Sequence, residues 1–299
     1  MNMFKKALYL IFAAFFVVSC GDGDDEVIQG PENAGETNEA QLDPAAINRI
    51  IESLPPPIET AATIEDMDVP YSKNYLVPSE KADGFDTNFK KAVGLGFYSA
   101  DLGYLNVYNR TNSIVEYLTV IKRISDDLDV DQFFDFQTLK RLATNSEDLT
   151  ELMFLSVNSY HKMDDHLRST KRSDLSALMV TGVWLEGMYL SAKVSKLKKN
   201  DKIKDRVGEQ KEILGDMLYV LNFFEKKPYF PDLIKDFETL KEAYQDVVIT
   251  TEQVESKEEV IDGIVVITPN ELTSIHMTDE QFKEISDLII KIRNKLISA

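Results

Sequence analysis

Apolar residues recur every three to four positions along most of the chain from about residue 86 onward. This spacing places them on one face of a helix, and breaks in the pattern separate eight such segments. The segments begin near residues 86, 113, 133, 145, 173, 201, 231 and 278. Thr278 and Gln281 have the spacing of a capping box, which marks the start of the last segment. The pattern predicts an all-α multi-helix bundle of about seven to eight helices over residues 86–299.

The period changes between the seventh helix and the last one. Val247–Thr251 is rich in β-branched residues. Two further β-branched runs, Val260–Ile261 and Ile264–Ile267, flank an Asp-Gly pair at 262–263. An Asp-Gly pair between such runs is the strongest short-range hairpin signal. We predict a small antiparallel insert of two or three strands at about residues 247–268, before the last helix.

Residues 1–19 have the layout of a secretory signal peptide. Lys5 and Lys6 precede twelve residues, 7–18, whose only polar side-chain group is a tyrosine hydroxyl. At about 1.5 Å per residue this run is roughly 18 Å long, too short for a hydrocarbon core of about 30 Å. The run ends in Val-Val-Ser-Cys20, which resembles the lipobox of bacterial lipoproteins. The resemblance implies cleavage before Cys20 and lipidation of that residue, so the protein would contact the membrane through its lipid anchor. The alternatives are an ordinary secretory signal that contains a cysteine and a buried N-terminal helix.

The residues directly after Cys20 bear on localisation. Residues 21–26 read Gly-Asp-Gly-Asp-Asp-Glu, which resembles the acidic export signal of surface lipoproteins in Bacteroidota. This resemblance implies a cell-envelope protein in the outer membrane, exposed at the surface. Asp22 occupies the second position of the mature chain, where in enteric bacteria an aspartate implies retention at the inner membrane. The inner-membrane or periplasm-facing location therefore stays open as the alternative.

Residues 20–85 form the predicted tether between anchor and domain. Eight acidic residues and no basic residue lie between Cys20 and Asp43, a composition too polar to form a core. After Pro44, four apolar residues at helical spacing predict one short helix that ends at the prolines 55–57. The sequence therefore divides into a signal peptide (1–19), an acidic, proline-containing tether (20–85) and a helical domain (86–299).

Composition excludes several classes of protein. The chain of 299 residues has 51 acidic and 33 basic side chains, a net charge of -18. A nucleic-acid partner is not expected, because phosphate binding needs a basic surface. One cysteine excludes an intramolecular disulfide and a cysteine-rich metal cluster, and three histidines leave few ligands for another metal site. We predict no cofactor and no metal.

The glycines of the first long helix predict close packing. Gly94 and Gly96 lack the third glycine and the preceding strand of a dinucleotide-binding loop. Gly96, Ala100 and Gly103 lie roughly one helical turn apart, which leaves a bare strip where another helix can approach.

Two places in the chain are candidate polar sites. His161 and Asp165 lie four residues apart on one predicted helix face, so both side chains could reach one ligand. A metal needs a third protein ligand that the sequence does not name, so a solvated helix face is the preferred interpretation.

Glu186 is the second candidate, as the single charge in the apolar helix from Leu175 to Ala192. Tyr189 shares its helix face, as does Gly182, whereas Trp184 points elsewhere and is expected in the core. A carboxylate in such a helix needs a hydrogen-bonding partner, such as Arg, Lys or Tyr, or it lines a pocket.

Two stretches carry a further resemblance. Residues 92–104 (AVGLGFYSADLGY) and 184–189 (WLEGMY) are similar to uncharacterised helical lipoproteins of Bacteroidota, a family without an established activity. Our leading hypothesis is a lipid-anchored cell-envelope protein whose helical binding or scaffold domain takes an unidentified protein or small-molecule ligand and is not an enzyme. The alternative is an envelope hydrolase with a carboxylate or metal site around Glu186 and His161.

Overall fold

The computed structural model describes residues 44–53, 61, 64, 68–144, 149–198, 200–253, 258–261, 264–267 and 271–298. The expected signal peptide, Cys20 and the acidic segment after it lie outside these residues, as does the Asp-Gly turn at 262–263. Within the described chain there are nine α-helices: α1 (Pro44–Ser53), α2 (Asn88–Val107), α3 (Thr111–Asp127), α4 (Phe136–Thr144), α5 (Leu149–Ser169), α6 (Ser173–Ser195), α7 (Asp201–Phe223), α8 (Phe230–Ala243) and α9 (Asp279–Ser298). Short 3₁₀ helices lie at Lys73–Tyr75, Ser79–Gly84 and Asp131–Phe133. The predicted all-α bundle with a β insert before the last helix is confirmed.

Helix α6 lies at the centre of the bundle. It is the one helix in the described chain that is long and apolar enough to cross a membrane, and nearly all of it is buried inside the bundle. Its most extensive interface is with α2. A Cβ on Gly96 would collide with the main chain of Met179 and Val183, and a Cβ on Gly182 would collide with the Val93 carbonyl. The two glycines therefore allow the close approach of α2 and α6, and α6 is the helix that occupies the strip predicted on α2.

The packed region begins earlier in the chain than expected. Ile47 and Ile50 of α1 are buried, and so are Val69 and Val77 in residues 68–85, which we call the strap. The apolar side chains of these segments therefore contribute to the core of the helical domain, and the packed part of the chain extends back to α1.

The β insert consists of two antiparallel ladders before α9. β1 (Val248–Gln253) pairs with β4 (Glu271–His276), and β2 (Glu258–Ile261) pairs with β3 (Ile264–Ile267). The β2–β3 hairpin around residues 262–263 is as predicted. The fourth strand, β4, was not predicted, because its sequence mixes apolar and polar residues without a β-branched run.

The start of α9 illustrates how local sequence fixes a helix terminus. The Gln281 amide donates to Thr278 Oγ1 (3.2 Å), and the Thr278 amide donates to Gln281 Oε1 (2.7 Å). This reciprocal pair is the predicted capping box, which satisfies two donors at the helix start. It fixes where α9 begins, and therefore the register at which Arg293 faces the bundle interior.

Candidate functional site

Glu186 forms a buried ion pair with Arg293. The Glu186 side chain in the middle of α6 is completely buried, and the Arg293 side chain on α9 is 6% exposed. Arg293 Nε donates to Glu186 Oε2 (2.9 Å) and Nη2 donates to Oε1 (2.6 Å). This two-point geometry matches the planar guanidinium to the carboxylate, which a lysine could not do. The pair joins the central helix to the last helix.

Arg293 also contacts two tyrosines. Its Nη2 donates to the Tyr75 carbonyl oxygen in the strap (3.2 Å), and its guanidinium carbon lies 3.9 Å from the centre of the Tyr189 ring. A guanidinium over an aromatic face is attracted by the electrons of the ring. Tyr189 lies on α6 three residues after Glu186, so the candidate pair Glu186 and Tyr189 converges on one arginine. Arg293 therefore connects α6, α9 and the strap.

Asp101 on α2 is a second buried carboxyl group beside this pair. It is completely buried, and its Oδ2 accepts a hydrogen bond from the Val77 amide of the strap (2.8 Å). Its Oδ1 has no partner at ordinary hydrogen-bond geometry among the described residues. Glu186 is nevertheless close enough to act on the Asp101 carboxyl both by charge and by a side-chain hydrogen bond. The cluster therefore holds two acids and one base.

Two buried acids beside one base favour a proton on one of the two carboxyl groups. Burial, and after it the charge of Glu186, raise the pKa of Asp101 well above its usual value, although Arg293 acts in the opposite direction. Burial also raises the pKa of Glu186, opposed by the charge and the hydrogen bonds of Arg293. Glu186 receives two bonds from the guanidinium and Asp101 receives one from an amide. The surroundings therefore favour the ionised form at Glu186 and the neutral form at Asp101.

The strap is held to the bundle through its main chain. Asp101 and Arg293 each bind one strap main-chain group, and four tyrosines on α2, on α3 and directly after α2 bind others. These bonds join Tyr98 to the Pro78 carbonyl (2.9 Å), Tyr108 to the Val69 carbonyl (2.6 Å), Tyr117 to the Val77 carbonyl (2.6 Å) and the Ser72 amide to the Tyr104 hydroxyl (3.1 Å). Such bonds satisfy main-chain polar groups of the strap that its short 3₁₀ helices leave unpaired. The strap is therefore a fixed part of the domain.

The other candidate residues lie on α5, outside this cluster. His161 is partly exposed and Asp165 is exposed, where it accepts a bond from Arg168 (2.5 Å). The neighbouring Asp164 is buried instead, and it accepts a bond from the Ser176 hydroxyl (2.7 Å). Across the part of the chain that the structure describes, no group of three His, Cys, Asp or Glu side chains is placed to hold a metal ion. His161 and Asp165 therefore do not join Glu186 in one site.

Asp101 and Arg293 were missed from the sequence, although each carried a signal. Asp101 is the one charged residue between Lys91 and Arg110, the same signal that singled out Glu186. Arg293 lies four residues after Ile289, on the apolar stripe of α9, where a charge is unexpected. A single charge in each of three apolar faces is the pattern of a buried network.

Taken together, the geometry defines an all-α bundle whose centre is a three-residue ionic cluster. No protein-family model, curated protein or solved structure matches this chain. The functional conclusion therefore rests on the sequence and on the cluster itself. Both carboxyl groups are fully buried, and the arrangement stabilises contacts among α2, α6, α9 and the strap.

Proposed function

We propose that this protein is a lipid-anchored cell-envelope protein whose helical domain is a binding or scaffold module. The observation that carries the proposal is the way the N-terminal side of the domain is attached. The strap is the part of the proposed tether that leads into α2, and six side chains from α2, α3, α9 and the turn after α2 hold its main chain. A domain suspended from a membrane by its N-terminal segment needs an attachment that does not fray, since chain ends ordinarily do.

The anchor is tested by lipid labelling. Cells expressing the full-length chain are grown with labelled palmitate, and the protein is compared with the Cys20→Ala variant. The wild-type protein should carry label and sediment with membranes, whereas the variant should do neither. Ser19→Ala keeps a small residue before the cysteine and is the matched control, which should label normally. Labelling of Cys20→Ala would refute the anchor.

Surface exposure is a separate part of the proposal. Protease added to intact cells should cut the acidic segment between Cys20 and Asp43 and release the domain. Protection in intact cells followed by cleavage after lysis would favour the periplasm-facing alternative. Release and protection can be interpreted only for an anchored protein, so the labelling experiment comes first.

A hydrolase is the second candidate function, and one observation favours it. Asp101 and Glu186 are neighbouring carboxyl groups whose surroundings favour different protonation states, as acid–base catalysis requires. We place this candidate second because neither carboxyl group has any exposed surface from which to meet a substrate. Metal analysis of protein purified without chelator separates the two candidates, since a stoichiometric metal would overturn the binding-module proposal.

A further inference from the structure

Three exposed aromatic side chains lie around the turn from α7 to α8. Tyr219 and Phe223 are four residues apart and therefore share one face of α7, and Tyr229 directly precedes α8. They are 58%, 41% and 51% exposed, and they make up half of the six large apolar side chains that are exposed in the described chain. We call these three residues the aromatic tip. Single exposed apolar residues are ordinary, but several aromatic rings in one place indicate a contact surface.

The rings of the aromatic tip pack on rings of the core. Phe223 contacts Phe224, with ring centres 5.3 Å apart, and Tyr229 contacts Phe89 at the start of α2, also at 5.3 Å. The rings of Phe224 and Phe89 both contact the buried Phe230, at 5.5 Å and 5.7 Å. The turn itself, residues 225–229, is exposed throughout. These contacts join Phe223 and Tyr229 into one surface and fix their rings before any partner binds.

The main chain of Tyr229 is strained. Its φ of 72° and ψ of -21° lie in the left-handed region, which is unfavourable for a bulky side chain. The Tyr229 side chain makes no capping hydrogen bond to α8, so the start of that helix does not require a tyrosine. A glycine would adopt the same conformation without strain. Because strain of this kind is concentrated at functional sites, we infer that the exposed ring is what this position provides.

Two lysines accompany the aromatic tip. Lys226 and Lys227 are exposed in the same turn, and the Lys227 ammonium lies 2.8 Å from Asp174 at the start of α6. Tyrosine and lysine both combine an apolar body with a polar end. Such side chains gather where a protein meets the surface of a bilayer, because the rings lie among the lipid headgroups and the ammonium groups reach the phosphates. The composition of the turn is therefore that of a membrane interface.

The size and the charge of the surface select its occupant. Three half-exposed rings offer about 300 Å² in total, whereas a stable protein interface buries about 800 Å² on each partner. A second copy of this chain would also bring a second net charge of -18, and the two copies would repel each other. A phospholipid bilayer requires neither a large area nor a matched shape from a protein that is already attached to it. The aromatic tip fits this second, weaker contact.

We propose that the aromatic tip enters the headgroup layer of a phospholipid bilayer and thereby orients the helical domain. This inference rests on the membrane location proposed above and adds a second contact to the anchor at Cys20. Attachment through the anchor makes the second contact intramolecular, so a weak contact suffices. The net charge of -18 opposes a strongly anionic bilayer, so burial of the rings supplies the affinity while Lys226 and Lys227 pair with phosphates.

Tryptophan fluorescence in vesicles tests the contact. The full-length Tyr219→Trp variant is reconstituted into phosphatidylcholine vesicles whose acyl chains carry bromine, which quenches indole emission at close range. Trp184 is 3% exposed in the core, so the wild-type protein supplies the unquenched baseline. The introduced indole should lose most of its emission and shift to shorter wavelength relative to vesicles without bromine. Emission of the introduced indole that bromine leaves unchanged would overturn the proposal.

Val115→Trp is the matched control, because Val115 is also an exposed apolar residue, at 37%. Asp127 at the end of α3 pairs with Lys91 (2.6 Å), two residues after Phe89. Val115 lies twelve residues before Asp127, about 18 Å back along α3 and away from the aromatic tip. Its introduced indole should not be quenched. Equal quenching of the two variants would show that the domain has no fixed orientation on the bilayer, which would overturn the proposal.

Tyr229→Gly separates a membrane role from a structural one. Glycine relieves the backbone strain, so the melting temperature should stay the same or rise, whereas loss of the ring should lower the quenching of Tyr219→Trp in the same chain. A lower melting temperature with unchanged quenching would assign Tyr229 to the fold and overturn the proposal. A dimer in sedimentation experiments that Tyr229→Gly dissociates would overturn it in favour of an interface between two copies.

Sedimentation of the vesicles distinguishes failure of this proposal from failure of the anchor. A lipidated protein whose aromatic tip does not meet the bilayer would sediment with the vesicles and remain unquenched. If palmitate labelling shows that Cys20 carries no lipid, the same variants are mixed with excess brominated vesicles. The aromatic tip alone should then still bring the Tyr219→Trp indole, and not the Val115→Trp indole, to the bilayer, and absence of this difference would overturn the proposal.

Discussion

Replacing Glu186 by glutamine keeps the shape of the side chain and removes the charge that faces Arg293. The guanidinium is 6% exposed, so it would lose its counter-ion without gaining water. Removing one member of a buried ion pair costs about 3–5 kcal/mol of unfolding free energy, mostly because the other charge is left uncompensated.

Asp101 changes the magnitude of this loss. Once Glu186 is neutral, Asp101 can release its proton and supply the missing negative charge, because Arg293 already acts on its pKa. The loss in Glu186→Gln should then be about 2 kcal/mol, below the full cost of an unpaired ion. Asp101→Asn alone should cost about 1 kcal/mol, because the amide oxygen can still accept the Val77 bond. The double variant has no carboxylate left and should lose about 4–5 kcal/mol, which is more than the sum of the single losses.

Urea denaturation at neutral pH measures these free energies. In thermal melts, a loss of 2 kcal/mol corresponds to a decrease in Tm of about 4–8 °C for a domain of this size. Asp287→Asn is the control within α9, because it removes an exposed ion-pair partner and should cost less than about 1 kcal/mol. An unchanged Tm in both Glu186→Gln and the double variant would refute the ionic cluster and the central placement of α6. If the losses of unfolding free energy in the single variants added up to the loss in the double variant, Asp101 would not be replacing Glu186 as the counter-ion of Arg293.

The remaining predictions concern the same core. Burial raises the pKa of Asp101 in the folded protein, whereas in the unfolded chain this group loses its proton above about pH 4, so stability should fall as pH rises above that value, by up to about 1.4 kcal/mol per pH unit. Asp101→Asn should flatten this slope in urea denaturation over a pH series, and an unaltered slope would assign it to other groups. Gly182→Ala forces α2 and α6 apart and should lower the free energy of unfolding by about 1–3 kcal/mol. In Gly187→Ala the new methyl group meets open space, and the substitution should stabilise the protein by up to about 1 kcal/mol. Equal melting temperatures of the two variants would contradict the close approach of α2 and α6. Tyr117→Phe removes the bond to the Val77 carbonyl and should cost about 1 kcal/mol, with faster hydrogen exchange in the strap; unaltered exchange would mean that this bond does not hold the strap.

The helices could be predicted because each carries its own repeating pattern. The start of α9 followed from Thr278 and Gln281, and the burial of α6 followed from apolar residues around most of its circumference. These features depend on residues within a few turns of one another, and local spacing is what a sequence displays directly. The close α2–α6 approach was also predictable, because glycine at helical spacing has few other uses.

The partners in the cluster could not be predicted in the same way. The sequence indicated that Glu186 needs a partner such as an arginine, but Arg293 is one of many basic residues in the chain, and only the docking of α9 selects it. The position of the strap was harder still to predict, since its main chain is bound by side chains distant in the sequence and its own sequence has no regular period. Contacts of this kind depend on tertiary placement, which local propensity does not encode.

The reach of Arg293 along the chain has a consequence for the order of folding. Its bonds close loops of 107 residues to Glu186 and 218 residues to Tyr75, and the entropy cost of such closures grows with loop length. Before α9 docks, pairing α2 with α6 buries Glu186 without its counter-ion Arg293, which should weaken that pairing. We therefore expect the core to reach its full stability only once α9 has been made. Late closure of this kind would suit the export across a membrane that we propose for this chain.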